Sequence, residues 1–177
     1  MMILKEDFFQ RPATQVAPML IGKILCRRDG DEIIRARITE TECYYGSDDS
    51  ASHAYKGMTE RNSVMFDEGG RVYVYLCYGI HNMLNITTGL RGHPEAVLIR
   101  GVVSAEGPGR VTKYMRIDRE LNRTSACGDG DLWIEDDGYK PKITTSKRIG
   151  IDYAAEKDRN ILWRFLDSEL TKRKYKC

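Results

Sequence analysis

Glu42 and Tyr44 stand two residues apart in the stretch A-R-I-T-E-T-E-C-Y-Y-G, residues 36–46, and His53 follows nine residues after Tyr44. Read at the strand period of two, Ala36, Ile38, Glu40, Glu42 and Tyr44 share one face, and Arg37, Thr39, Thr41, Cys43 and Tyr45 share the other. Acidic residues are poor strand formers, so two on one face need a reason. An ordinary one is an edge strand whose charges face water and deter aggregation. The chemical one is a carboxylate held on a rigid element beside an aromatic pocket, where it acts as a general base. Further along, R-V-Y-V-Y-L-C-Y (71–78) puts Tyr73 and Tyr75 on one face and Tyr78 on the other, next to Gly79. Arg100 interrupts an otherwise apolar run. Singly, each residue reads as packing: a half-buried tyrosine, a hydrogen-bonded histidine, an arginine paired with Glu40 or Glu42. Jointly, a carboxylate, a cation and several aromatics describe a pocket for a flat, electron-poor ring.

The elements that must position these groups follow from the pattern. Residues 12–20 form a short amphipathic helix with Gly22 as a candidate end cap. Residues 23–28 and 32–43 are strands joined by Asp29-Gly30, a hairpin signal. Asp48 or Ser50 caps a short helix carrying His53 and Tyr55. Residues 57–70 are irregular, with Met65 and Phe66 anchoring them to the core. Residues 71–78 are the strongest strand, 79–82 the turn, and 83–88 the returning strand. Residues 96–103 are apolar on both faces and form a central strand. Gly107-Pro108-Gly109 opens a helix over 110–117, and 131–135 is a strand ended by Asp136-Asp137-Gly138. Residues 143–151 and 161–165 are weaker strands, and the C-terminus is a charged helix or a frayed end. The absence of repeats and linkers gives one domain over 1–177, of α+β class, with a mostly antiparallel sheet.

Composition sets bounds. A chain of 177 residues suffices for one real core. No apolar run is long enough to span a membrane, and the start lacks a signal peptide's hydrophobic segment. The five cysteines (26, 43, 77, 127 and 177) are scattered, which fits a reducing cytosol without structural zinc. His53, His81 and His93 have no metal-ligand spacing. There is no nucleophile elbow, phosphate-cradling glycine loop or dinucleotide fingerprint. The net charge is +2, unevenly spread. Basic residues gather at Arg110, Lys113, Arg116, Arg119 and Arg123 and in the tail at 172–176, either a phosphate-facing surface or a solvated helix face.

Taken in order, R-I-T-E-T-E-C-Y-Y-G, A-S-H-A-Y-K-G-M-T-E-R-N-S-V-M-F, V-Y-V-Y-L-C-Y-G-I-H-N-M-L-N and A-V-L-I-R resemble the alkyladenine (3-methyladenine) DNA glycosylase family. The resemblance runs from about residue 8 to residue 100 and resumes weakly at G-P-G-R-V-T-K and R-I-G-I. It implies a curved antiparallel sheet with surrounding helices and a projecting hairpin that enters the minor groove. The implied activity is hydrolytic release of alkylated or otherwise damaged purines from double-stranded DNA, leaving an abasic site. The substrates would be 3-methyladenine and 7-methylguanine, with hypoxanthine or ethenoadenine as further candidates. Glu42 would activate water with help from Arg100. Tyr44 would stack on one side of a flipped base, with His53 and Tyr75 on the other and Asn85 as a selective wall. Tyr78 would be the residue inserted into the duplex, and Arg110 and Lys113 would meet phosphates. No cofactor or metal is implied, and a monomer in the cytosol, on the nucleoid or in a nucleus suffices.

The chain departs from the family pattern in a short connection over 101–106, in Thr59-Glu60-Arg61-Asn62 where Thr-Pro-Arg-Asn is common, and in the missing proline before Leu162-Trp163-Arg164-Phe165. A noncatalytic nucleic-acid-binding module would need neither Glu42 nor Arg100. A free-nucleoside hydrolase would need neither Tyr78 at a tip nor a basic face. All three residues are present.

Overall fold

The computed structural model describes residues 1–172. One strand, β3 (Glu32–Tyr45), organises the fold. Its first half pairs antiparallel with β2 (Ile24–Asp29) through the two-residue turn Gly30-Asp31, one residue later than the expected Asp29-Gly30, and its second half pairs with β6 (Glu95–Val102). In the described residues the sheet has ten strands. Its path begins at β1 (Met2–Ile3), crosses β8 (Leu132–Asp136) and β2 to β3, then continues through β6 and β5 (His81–Thr88) to β4 (Val72–Cys77). Two short strands, β9 (Ile143–Ser146) and β10 (Arg164–Asp167), add to the other side of β3. The two-residue β7 (Ala105–Glu106) folds back on β6, so the short 101–106 connection is a tight hairpin with Ser104 at φ 81°. Every pairing is antiparallel, and helices pack around an open sheet, which is the expected α+β class.

The core lies between the sheet and α2 (Ala13–Leu20), whose Val16, Ala17 and Leu20 are fully buried. Pro12 precedes this helix as its cap residue. A short α1 (Glu6–Phe9) seals one end with Phe8 and Phe9, a segment the sequence pattern left undescribed. The 63–66 segment, a single 3-10 turn, lays Val64 and Met65 onto the opposite sheet face beside Tyr73 and Ala96. On the α2 side, α3 (Pro108–Tyr114) buries Val111 in the main core and closes the side of β5, where the Thr112 hydroxyl donates to the Asn82 carbonyl.

Several expectations need correction. The strand face proposed for Ala36, Ile38, Glu40, Glu42 and Tyr44 is broken. Register shifts between Ile38 and Thr41 insert one extra residue on each of β3 and β6. A bulge shifts side-chain parity. Ala36, Ile38 and Cys43 therefore belong to one core, and Thr41 donates to the Ala17 carbonyl at 2.8 Å. Glu42 and Tyr44 face the other way. No helix carries His53: after a 3-10 turn at Gly46–Asp48 the chain runs in turns. The 143–151 strand stops at Ser146, the 161–165 strand starts at Arg164, and the 110–117 helix sits earlier, at Pro108–Tyr114. The returning hairpin strand begins at His81, so the turn is Tyr78-Gly79-Ile80. The tail charges at 173–176 lie outside the described residues. A short helix, α5 (Ser168–Lys172), precedes them.

Candidate active site

Four strands place one row of side chains on the face away from α2. Glu42 pairs with Leu98, Leu98 with Asn85, and Asn85 with Tyr73. Period-two alternation adds Tyr44, Ala96, Arg100, Met83 and Tyr75 to the same face. This face forms the floor and wall of a cavity of about 440 Å³, which His53, Arg61 and the 149–151 segment complete. Glu42 is fully buried just beneath the lining, between Tyr44, Arg100 and Ile149.

The carboxylate of Glu42 is held from three sides. The Tyr44 hydroxyl donates to Oε2 at 3.0 Å, the Ile149 N–H donates to Oε1 at 2.9 Å, and Arg100 Nε lies 3.6 Å from Oε1. Arg100 is shared, with Nε 3.0 Å from Glu40 Oε1. Glu40 is also held by Arg164 Nε at 2.5 Å. Burial raises the Glu42 pKa above the ordinary carboxylate value, while Arg100, then the Ile149 N–H and the Tyr44 hydroxyl, pull it back down. The result is a desolvated carboxylate kept ionisable by positioned donors, the condition of a poised general base. Either of the two expected partners would have satisfied Arg100; the structure uses both.

The aromatic walls are ordered by each other. His53 Nδ1 is 2.9 Å from the Tyr73 hydroxyl, and its ring meets Tyr75 edge-on, with centroids 4.5 Å apart. Surrounding protein, then the Arg61 charge, pushes the His53 pKa down to about 4, although the side chain stays exposed at the cavity. Asn85 is buried, and its Nδ2 donates to the backbone carbonyls of Tyr73 at 3.3 Å and Met83 at 3.4 Å. At the end of the β4–β5 hairpin, the Ile80 N–H donates to the Cys77 carbonyl at 3.2 Å. The two central residues, Tyr78 and Gly79, have φ of 50° and 71°, the double positive φ of a type I′ turn. A tyrosine at positive φ is uncommon. Here it carries the ring to the rim, 90 % exposed, where it also borders the cavity mouth.

The basic run divides. Arg110 and Lys113 are exposed on α3, beside the cavity-lining Pro108. Arg116 is tied to Asp29 and Glu32 at 2.9 and 2.8 Å, and Arg123 donates to Ser63 and to the Glu60 carbonyl. Those two hold loops together.

Sequence reasoning missed the cavity's far wall. The 147–151 segment is an irregular crossing in place of a strand, and it delivers the Ile149 N–H to Glu42. Beneath it, Arg148 is fully buried, bidentate to Asp49 at 2.5 and 2.9 Å, and stacked 5.0 Å from the Tyr44 centroid. The R-I-G-I resemblance was the one available signal. Tyr73, Arg61 and Tyr153 are further wall residues. Among the described residues no group of three or more His, Cys, Asp or Glu side chains is placed to hold a metal ion. None of their helices is long and apolar enough to cross a membrane.

Comparison with known proteins gives the family. The family model described as methylpurine-DNA glycosylase matches residues 7–106 and 101–170. A protein of Methanocella arvoryzae is 43 % identical over 187 residues, covering 94 % of this chain and 93 % of its own. One of Borreliella burgdorferi is 42 % identical over 89 % of this chain and 92 % of its own. One of Clostridioides difficile is 35 % identical over 92 % and 98 %. All three carry the provisional name 3-methyladenine DNA glycosylase. Matched by the family model over nearly its whole length and 43 % identical to a full-length relative, the chain belongs to the methylpurine-DNA glycosylase family.

Proposed function

We propose that this protein hydrolyses the N-glycosidic bond of damaged purines in duplex DNA and releases the free base, leaving an abasic site. The observation that carries the reading is Glu42, buried beneath an aromatic cavity and held by the Tyr44 hydroxyl, the Ile149 N–H and Arg100. A purine inside the duplex cannot reach such a cavity, so the nucleotide must rotate out of the stack, at a cost of a few kcal/mol that is smallest where pairing is already damaged. Tyr78 at the hairpin tip fills the space left behind. The extruded ring enters between Tyr44 on one side and His53 with Tyr75 on the other, and Asn85 at the wall bears on which purine edge fits. Arg110 and Lys113 meet the flanking phosphates.

As the base departs, the sugar becomes oxocarbenium-like. Ionised Glu42 stabilises that charge and orients the attacking water, taking its proton as the new C–O bond forms. Arg100 helps position the water and keeps Glu42 ionised. The electron pair of the broken bond leaves with the base, easily when alkylation has made the ring cationic, and with a proton taken up from solvent water when the ring is neutral. Among the described residues none that lines the cavity is a lysine, which supports base release by water attack without a Schiff base or strand cleavage.

The test is incubation with duplexes that each carry one modified purine, 7-methylguanine, hypoxanthine or ethenoadenine, followed by an assay for abasic sites. Release from at least one of them is expected. Binding with no release from any would leave a noncatalytic DNA-binding module.

A further inference from the structure

A cationic purine stacked between two tyrosines gains cation–π attraction from faces that no other cation occupies. In this cavity both rings are already engaged. Arg148 Cζ lies 5.0 Å from the Tyr44 centroid and Arg61 Cζ lies 5.2 Å from the Tyr75 centroid. The two arginines differ in their charge balance. Arg148 is fully buried and neutralised by its bidentate pairing with Asp49. Arg61 lines the cavity, is exposed, and donates Nη2 to the Leu76 carbonyl at 3.2 Å. Among the described residues it forms no salt bridge with a carboxylate.

We infer that Arg61 is a specificity residue that disfavours cationic purines and favours neutral damaged purines in this cavity. The inference rests on the glycosylase reading above. A neutral ring, such as hypoxanthine or ethenoadenine, enters beside Arg61 at no charge–charge cost. A ring alkylated to a cation meets an uncompensated guanidinium on the wall and a Tyr75 face whose π electrons are already polarised toward that guanidinium. The same field already acts inside the cavity, where Arg61 adds to the effect of surrounding protein in lowering the His53 pKa. Once DNA covers the mouth, screening by water falls and the discrimination grows. Two unit charges roughly 6 Å apart at an effective dielectric of about 40 give close to a tenfold effect on relative efficiency.

The experiment measures single-turnover efficiency, the maximal rate divided by the half-saturating enzyme concentration. It uses duplexes of identical sequence carrying either cationic 7-methylguanine or neutral hypoxanthine. Arg61→Gln and Arg61→Met should each raise the 7-methylguanine to hypoxanthine ratio by about tenfold over wild type. Arg61→Lys should keep the ratio within about twofold. Because each ratio is referenced to wild type, differences in lesion shape and intrinsic lability cancel. A ratio unchanged in both charge-removed variants would overturn the proposal. So would equal loss on the two lesions, which would make Arg61 a phosphate contact or a loop anchor. Failure of the wild-type protein to release either base would instead count against the glycosylase reading itself.

Discussion

Replacing Arg100 by Met removes a cation from between two buried carboxylates while keeping the apolar stem. Glu40 retains Arg164 at 2.5 Å, so its charge stays compensated. Glu42 retains the Tyr44 hydroxyl and the Ile149 N–H but loses its nearest cation. Breaking a buried pair by removing one partner costs about 3–5 kcal/mol, and the surviving donors put this site near 3 kcal/mol at neutral pH. The sign with pH follows from linkage. Burial already holds the Glu42 pKa above its ordinary value, and Arg100 is the largest influence lowering it. Without Arg100 the folded-state pKa rises further. A carboxyl whose folded pKa exceeds its unfolded one contributes full stability below the unfolded pKa and loses it as pH rises through the folded pKa. The deficit of Arg100→Met should therefore be small near pH 5 and full near pH 8. Urea unfolding of wild type and variant at both pH values reads this directly. The double variant Glu42→Gln/Arg100→Met should recover at least about 1 kcal/mol at pH 8 relative to additivity. Equal deficits at the two pH values, or no coupling in the double variant, would refute the view that Arg100 serves the charge on Glu42.

Other outcomes follow from the same geometry. Tyr78→Ser should slow base release from damaged duplex by an amount comparable to a few kcal/mol of unstacking while leaving single-stranded substrate nearly unaffected; equal losses on both would make Tyr78 a pocket residue. Arg110→Ala and Lys113→Ala should each flatten the salt dependence of duplex binding by up to about one unit of log–log slope, whereas unchanged slopes would return both to a solvated helix face. A Cβ on Gly69 would lie 2.2 Å from the Phe9 carbonyl oxygen and 2.7 Å from its carbon, both backbone atoms that cannot yield. Gly69→Ala should thus cost about 1–3 kcal/mol and lower the thermal midpoint by several degrees.

Much of the strand framework was legible because its signals are local. Asp29-Gly30 and the alternating tyrosines of 71–78 announce their hairpins, and the apolar run before Arg100 announces a buried strand. The carboxylate, the aromatics and Arg100 were legible as a group because they stand on neighbouring strands of that framework. What escaped was non-local. The bulge that moves Ala36 and Ile38 away from the Glu42 face depends on register against β6, including the close approach of Gly101 to Thr39 and Glu40. Arg148 and Asp49 are 99 residues apart, so nothing in either neighbourhood marks their pairing. Ile149 contributes through its backbone N–H, a group every residue but proline carries. The Arg116 ion pairs likewise depend on folding, which is why a basic run of five in sequence divides into Arg110, Lys113 and Arg119 on one hand and the loop anchors Arg116 and Arg123 on the other.

Glu42 acting as the base is the central step of the proposed reaction. Glu42→Gln keeps the side-chain volume and an acceptor for the Tyr44 hydroxyl but removes the ionisable carboxylate. Single-turnover base release from a damaged duplex should fall by about 10²–10⁴-fold. Affinity for the same duplex, read by equilibrium binding, should stay within a few-fold of wild type. Release within tenfold of wild type, with binding intact, would contradict the account.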